Sequence, residues 1–441
     1  MDVLDLTRLQ FAVVTIYHYF FVPLSISLAG IAAGLQIAWL RTKQERFLTL
    51  TKLTGKLLII TFAVGVVTGL VQEFQFGMGW SAFARFYGDV FGPTLAIEGM
   101  LAFFLEATFL ALWYFGWDRL PRPAHLATIL VVSAGTLLSA FIILAGNSFM
   151  QNPVAYEMDP ATGRAHLTSF SDLLLNKVNL AAFPHTVAGA VMVGGALILA
   201  IGVWRELDVY PRLGAWLTLI GGGLTALTGD HLGKVITEVQ PMKMAAAEAL
   251  YSTTTGAPFS VFAVGDSFRV DVPYLLSILA KGSPGATVQG IDDLQAQYAA
   301  QYGPGSYVPM IPVAFWSFRL MIGVGMFAAL IAAVYLWTSR RGHTPHRLLL
   351  RWLPLIPLLP TAANSIGWIF TETARQPWLA FGLTRVADGV SPGLTSAEVI
   401  ASLAGFTVVY GVLAVVWLRL VRHVCSASPA GSEPRPLVST Y

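Results

Sequence analysis

Apolar residues gather into nine long blocks along the chain, at approximately 9–40, 52–76, 93–117, 124–148, 179–204, 213–236, 313–338, 347–371 and 395–421. Each offers close to the roughly 20 apolar residues a helix needs to cross a hydrocarbon core of about 30 Å. Backbone groups facing lipid have to be satisfied within their own segment, so the blocks are predicted to be helices. The predicted fold class is all-α, a polytopic membrane protein with nine transmembrane helices. Basic residues alternate between the connections. Arg41, Lys43, Arg46 and Lys52 follow the first block, Arg119 and Arg122 the third, and Arg205 and Arg212 the fifth. Arg340, Arg341, Arg347 and Arg351 follow the seventh, and Arg419, Arg422 and Arg435 the ninth. The other connections are longer and poorer in Lys and Arg. That alternation puts the N-terminus outside and the C-terminus in the cytoplasm.

The outer side then carries two long connections, 149–178 and about 237–312, the second lying between helices 6 and 7. It is rich in Gly, Pro, Ser and Tyr ("STTTGAPFS", "GPGSYVP"), and loops of that length are usually functional or disordered. Residues 1–421 form one membrane domain, and 422–441 read as a disordered cytoplasmic tail. The opening MDVLDLTR lacks the basic region and cleavage site of a secretory signal, so the first helix is expected to stay in the mature protein.

Composition agrees. The chain of 441 residues is 55% hydrophobic and 12% charged, where a soluble domain carries about a quarter charged residues. A net charge of +3 gives no reason to expect nucleic acid as a partner. The single cysteine, Cys425, excludes an internal disulfide and any all-cysteine metal site.

What remains polar inside the apolar blocks is therefore informative. His18 lies about nine residues, roughly 13 Å, in from the outer start of the first helix. His185 lies about six residues in, roughly 10 Å, and Met321 about eight, roughly 12 Å. Glu98 sits a few residues into the third block, and Glu372 closes the eighth at the outer face. These candidates share the outer half of the membrane. An intramembrane histidine can simply hydrogen-bond a neighbouring helix, and Met100, Met192 and Met326 compete with Met321 on residue type alone. Buried carboxylates are rarer. Glu98 and Glu106, eight residues apart, fall about 80° round one α-helix, a spacing that suits a proton relay as well as paired helix contacts. An arginine in lipid costs from roughly 2.5 kcal/mol to more than 10 at the centre, so Arg319 needs an anionic partner. An imidazole and a thioether at one depth can clamp a haem iron, and a further histidine can hold a second haem. Haem propionates would then be partners for Arg319.

The motifs "RLQFA" and "YHYFFVPL", "TGLVQEFQFG", "GPTLAIEGMLAFFLEATF", "GNSFMQNP", "FPHTVAG", "FRLMIGVG" and "GWIFTETARQPW" stand in order along the chain. With them the sequence resembles subunit I of the cytochrome bd-type quinol oxidases, from residue 1 to about 421. The resemblance implies a membrane enzyme of the bacterial cytoplasmic membrane that oxidises quinol (ubiquinol or menaquinol) at the outer face and reduces O2 to water. It implies two haem b and one haem d. His185 and Met321 would ligate the low-spin haem b, and His18 and Glu372 one high-spin haem each, in an order the resemblance leaves open. Glu98 would lie beside the high-spin pair and Glu106 on a proton route from the cytoplasm. Arg319 and Arg375 would hold propionates. Lys243 and Glu248, in "QPMKMAAAEALY", would bind quinol, where bare residue type suggests two charges on a solvated loop. A second polytopic subunit and a small single-helix subunit are the implied protein partners, with membrane lipid around them. Ala374 stands where the family has glycine in "GRQPW", which leaves the local backbone open. Oxidases of similar pattern carry only b haems. A haem-b quinol oxidase or electron-transfer subunit is therefore the alternative, and a proton-coupled transporter using Glu98, Glu106 and His18 is the rival of another class.

Overall fold

The computed structural model describes residues 2–264, 268–343 and 345–426. All nine apolar blocks are helical. The first two are α1 (Val3–Thr42) and α2 (Glu45–Met78). Asp2 caps α1 by accepting from the Asp5 N–H at 2.8 Å, and the helix ends where Lys43 turns left-handed at φ 57°. The third block is α3 (Ser81–Glu98), a π-helical segment Gly99–Glu106 and α4 (Ala107–Phe115). It is followed by α5 (Arg122–Gln151) and, after the short α6 (Phe170–Leu174), by α7 (Lys177–Trp204) and α8 (Tyr210–Val239). The long connection between α8 and the next long helix holds α9 (Pro241–Ala247), α10 (Leu275–Lys281) and α11 (Ile291–Tyr302). Then come α12 (Ile311–Thr338), α13 (Arg347–Trp352), α14 (Leu358–Thr373) and α15 (Ser396–Ser426). The predicted tail begins inside α15, and its remainder, 427–441, lies outside the described residues.

Among the described residues, six helices (α1, α2, α5, α7, α12 and α15) are long and apolar enough to cross a membrane. A seventh crossing results if the pair bent by 41° between Leu355 and Leu358 is one span. Pro354, Pro357 and Pro360 explain that bend, since each removes a backbone donor and its ring crowds the preceding turn. The count of nine thus needs the interrupted third block and α8, whose outer turns carry Asp230, Lys234 and Glu238.

One expectation is corrected. The third block is not one continuous α-helix, so the 80° offset between Glu98 and Glu106 does not hold: a π segment bonds i to i+5 and winds more slowly. The chain is otherwise mostly helical, with only short strands in its connections. Four two-stranded antiparallel sheets sit in the connections: β1 (Tyr156–Met158) with β2 (Ala165–Leu167), β3 (Thr254–Thr255) with β6 (Thr287–Val288), β4 (Phe259–Val264) with β5 (Phe268–Val272), and β7 (Trp378–Ala380) with β8 (Thr384–Arg385). With α9 to α11, the β3–β6 and β4–β5 pairs fold the connection between α8 and α12 into a compact cap.

Small residues set how the helices meet. A Cβ on Gly214 of α8 would lie 2.3 Å from the Leu199 nitrogen of α7, so these two backbones touch as membrane helices do at small-residue seams. The largest core cluster, including Phe21, Leu28, Leu57, Leu58, Ile129 and Ile198, joins α1, α2, α5 and α7. At the end of the cluster near the C-terminus of α1, Gln36, Trp113 and His125 close a buried ring of hydrogen bonds at 2.7–2.8 Å, which accounts for the polarity of those three positions.

Candidate functional site

Helices α1, α2, α3, α5 and α14 enclose a cavity of about 850 Å³, at the upper end of the range for pockets that hold large organic ligands. Its lining is mostly apolar, with His18, Glu73, Glu98, Glu106, Glu372 and Arg375 among its polar members. Helix α5 serves as a ruler for their depth. Near its outer end Asn147 donates to Glu372 Oε1 at 2.8 Å. Eight residues further in, roughly 12 Å, Ser139 donates to Glu98 Oε1 at 3.0 Å. Four residues further again, roughly 6 Å, a Cβ on Gly135 would meet Glu106 Cγ at 2.9 Å. The three carboxyls descend along one helix, and Glu106 Oε1 is buried with no hydrogen-bond partner among the described residues.

Both intramembrane imidazoles are held in one tautomer by their partners. His185 Nδ1 lies 3.1 Å from the Thr225 carbonyl, which only accepts, so Nδ1 carries the proton. His18 Nδ1 lies 3.1 Å from Thr68 Oγ1, whose own proton is shared between the Val64 and Gly65 carbonyls at 3.0 and 2.9 Å. Here too Nδ1 must donate, and in each ring Nε2 keeps its lone pair. Metal-ligating histidines are oriented in this way, the second nitrogen giving its proton to a carbonyl or hydroxyl.

Their depths match along α14. Gly189 of α7 abuts Asn364, where an added Cβ would lie 2.6 Å from Oδ1. His185 is one turn outward of Gly189. Met321 Sδ of α12 fills the space a Cβ on Gly367 would take, 2.7 Å away. Tyr19, next to His18, stacks on Trp368 with ring centroids 5.3 Å apart. His18, His185 and Met321 thus lie level with residues 367–368 of α14, and Glu372 one turn further out, the layer expected from counting apolar residues. His18 and Glu372 face the cavity, whereas His185 packs on α8 and Met321 on α14 outside its lining.

The two arginines differ. Arg319 has a carboxylate partner in the protein, Glu248 Oε2 at 2.7 Å, and also donates to the carbonyls of Ser260 (2.7 Å) and Ala247, with its guanidinium 3.6 Å above the Phe315 ring. Arg375 holds Glu372 Oε2 at 2.6 Å, while its Nε and Nη1 are buried without a partner among the described residues. A buried guanidinium with two unspent donors beside an apolar cavity is suited to an anionic group on a large ligand. Ala374 adopts φ −75°, ψ −9°, an ordinary helical conformation, so the position places no demand for glycine.

Lys243 and Glu248 are buried, 3% and 0% exposed, which removes the expectation of two charges on a solvated loop. Lys243 Nζ donates to Gln151 Oε1 at 2.7 Å and the Thr371 carbonyl at 3.0 Å, and burial pushes its pKa down to about 7. Burial, only partly offset by Arg319, pushes Glu248 up to about 7. Neither lines the large cavity.

Four residues with roles here escaped the sequence reading: Thr68, Glu73, Asn147 and Gln151. The Glu73 carboxyl lines the same cavity as that of Glu98. Asn147 and Gln151 gave a signal, amides four apart and so on one face at the outer end of the fourth block.

The family model described as cytochrome bd terminal oxidase subunit I matches residues 6–429. The cytochrome bd ubiquinol oxidase subunit 1 of Bacillus subtilis (strain 168) is 41% identical over 429 residues, covering 94% of this chain and 91% of the relative. The cytochrome bd-II ubiquinol oxidase subunit 1 of Escherichia coli (strain K12) is 32% identical, covering 98% of each. The solved bd oxidase from Geobacillus thermodenitrificans superposes with a TM-score of 0.86 at 26% identity, covering 96% of this chain and 98% of that one.

Proposed function

The chain belongs to the cytochrome bd terminal oxidase subunit I family, and from that membership we propose the roles its residues take in a quinol-oxidising terminal oxidase. Such oxidases use haems, and a subunit I implies a subunit II beside it in the bacterial cytoplasmic membrane. The observation that carries the reading is the cavity where the His18 Nε2 lone pair, the Glu372 carboxylate and the unspent Nε and Nη1 donors of Arg375 meet apolar walls. These groups fit haems with anionic edges. His18 and Glu372 would each ligate one high-spin haem, Arg375 would hold propionates, and His185 with Met321 would ligate a low-spin haem b at the matched depth. Arg319 would turn its remaining N–H toward a propionate while keeping Glu248. We assign two haem b and one haem d. When bound, they supply one-electron transfer and an iron position open to oxygen.

The remaining steps belong to the protein. Lys243 and Glu248 would receive the hydroxyls of a quinol at the outer cap and release their protons outside. Glu106, deepest of the three carboxyls, would take protons from the cytoplasmic side and pass them outward to Glu98 and Glu73. Uptake on one face and release on the other would make turnover electrogenic, each charge moved against 100 mV storing about 2.3 kcal/mol. This reading keeps nine crossings, the N-terminus outside, and a small single-helix subunit as a further partner.

A reduced-minus-oxidised spectrum of the purified complex, together with quinol-driven oxygen uptake, tests it. Bands of b and d haems with uptake are expected. Haem bands without uptake would reduce the reading to an electron-transfer subunit, and no haem bands would leave the transporter.

A further inference from the structure

We propose that Asn147 and Gln151 are positioning residues that couple Lys243 of the outer cap to the Glu372 carboxylate in the cavity, through one unbroken line of hydrogen bonds; this rests on the oxidase reading above. Lys243 Nζ donates to Gln151 Oε1 at 2.7 Å, Gln151 Nε2 to Asn147 Oδ1 at 2.9 Å, and Asn147 Nδ2 to Glu372 Oε1 at 2.8 Å. Arg375 closes the line on the other carboxylate oxygen at 2.6 Å. The ends fix the direction of every bond. Lysine can only donate here, because Thr371 offers its nitrogen a second carbonyl, and a carboxylate can only accept. Both amides must therefore point their N–H groups toward Glu372.

The line is anchored, and its Lys243 end is shielded: Gln151 is 4% exposed and Lys243 3%, while Asn147 and Glu372 are part-buried at the cavity wall. The Gln151 carbonyl also receives the Gln240 side chain at 2.8 Å, tying the start of α9 to the same turn of α5. Aligned hydrogen bonds in such a setting polarise one another, by roughly 10–30% per bond. A change at Lys243, such as its engagement by a quinol hydroxyl, alters how strongly Asn147 holds Glu372. Each oxygen of that carboxylate keeps a further lone pair, so the restraint orients the ligand without competing for iron. Electron arrival on the quinol side and the field at the high-spin haem are in this way linked by the protein.

A double-mutant cycle in the purified complex reads the coupling. Lys243→Met and Asn147→Leu are each expected to change the reduction equilibrium of the high-spin haem held by Glu372 about tenfold, roughly 59 mV for one electron. The double variant is expected to go no further than Asn147→Leu alone. Asn147→Asp and Gln151→Glu, which keep size and acceptor but lose the donor, serve if the leucine variant does not assemble, and should equally suppress the response to Lys243→Met. Additive shifts, or a potential unmoved by Lys243→Met, overturn the coupling. Absence of high-spin haem from the unsubstituted complex would instead sink the oxidase reading on which it rests.

Discussion

Because the proton of Thr68 is already given to the carbonyls behind it, the His18 ring has to donate through Nδ1 and offer Nε2 to the cavity. Loss of an outer partner of this kind typically weakens a metal site 10–100-fold. Thr68→Val is therefore expected to lower retention of one high-spin haem by about that factor while the low-spin band stays; an unchanged high-spin signal on dilution or chelation would refute it. The outer cap carries a pH signature with two opposite signs. Glu248 is raised from 4.5 to about 7, so the folded protein holds the proton more tightly and stability falls as pH climbs through that window. Lys243 is lowered from 10.5 to about 7, so its neutral form is favoured and stability rises from about pH 7 towards 10.5. Melting temperature against pH should show the acid-side slope, and Glu248→Gln should flatten it. His18, His185, Glu98 and Glu106 stood out because polar atoms in apolar blocks are conspicuous one by one, whereas Met321 was singled out only by the family resemblance and Glu73 was missed. The partner of Arg319 was not: Glu248 lies 71 residues away, and no local pattern reports a contact at that separation.

Helix-scale contacts carry a second group of consequences. Met321 Sδ rests where Gly367 has no side chain, so Gly367→Ala would place a methyl 2.7 Å from the sulfur and force it aside. A shifted low-spin haem band or potential is expected, with high-spin bands retained; an unaltered low-spin signal would remove Met321 from the ligand set. The cap is pinned to α12 by Arg319 and Glu248, whose side chains are 8% and 1% exposed. Breaking a buried pair from one side costs about 3–5 kcal/mol because it leaves the other charge unpaired. Arg319→Leu should lower the melting temperature markedly and raise hydrogen exchange across 241–264, and adding Glu248→Leu should recover part of the loss. The apolar runs located the helices but not all of their ends: α2 begins at Glu45 and α3 at Ser81, seven and twelve residues before the blocks at 52 and 93. The π segment was not legible, because "GMLAFFLE" has no residue that forbids an α-helix.

At the scale of the molecule, depth was the most legible property: rise per residue from the ends of the apolar blocks put His18, His185 and Met321 in the layer that α14 now defines. The crossing count was less so, since length and hydropathy support six or seven spans among the described residues. Orientation can be read directly. With Cys425 replaced by serine, Ser283→Cys in the exposed outer cap should react with a membrane-impermeant thiol reagent from outside intact cells, and Thr42→Cys only after the inner face is opened. The reverse pattern would invert the topology. The central claim is that the cavity of about 850 Å³ is a haem site gripped by His18 and Glu372. A cryo-microscopy map of the purified complex tests it most directly. Flat, iron-centred density reaching His18 Nε2, with carboxylate arms at Arg375, is the result expected, and lipid tails or ordered water filling that space would contradict the account.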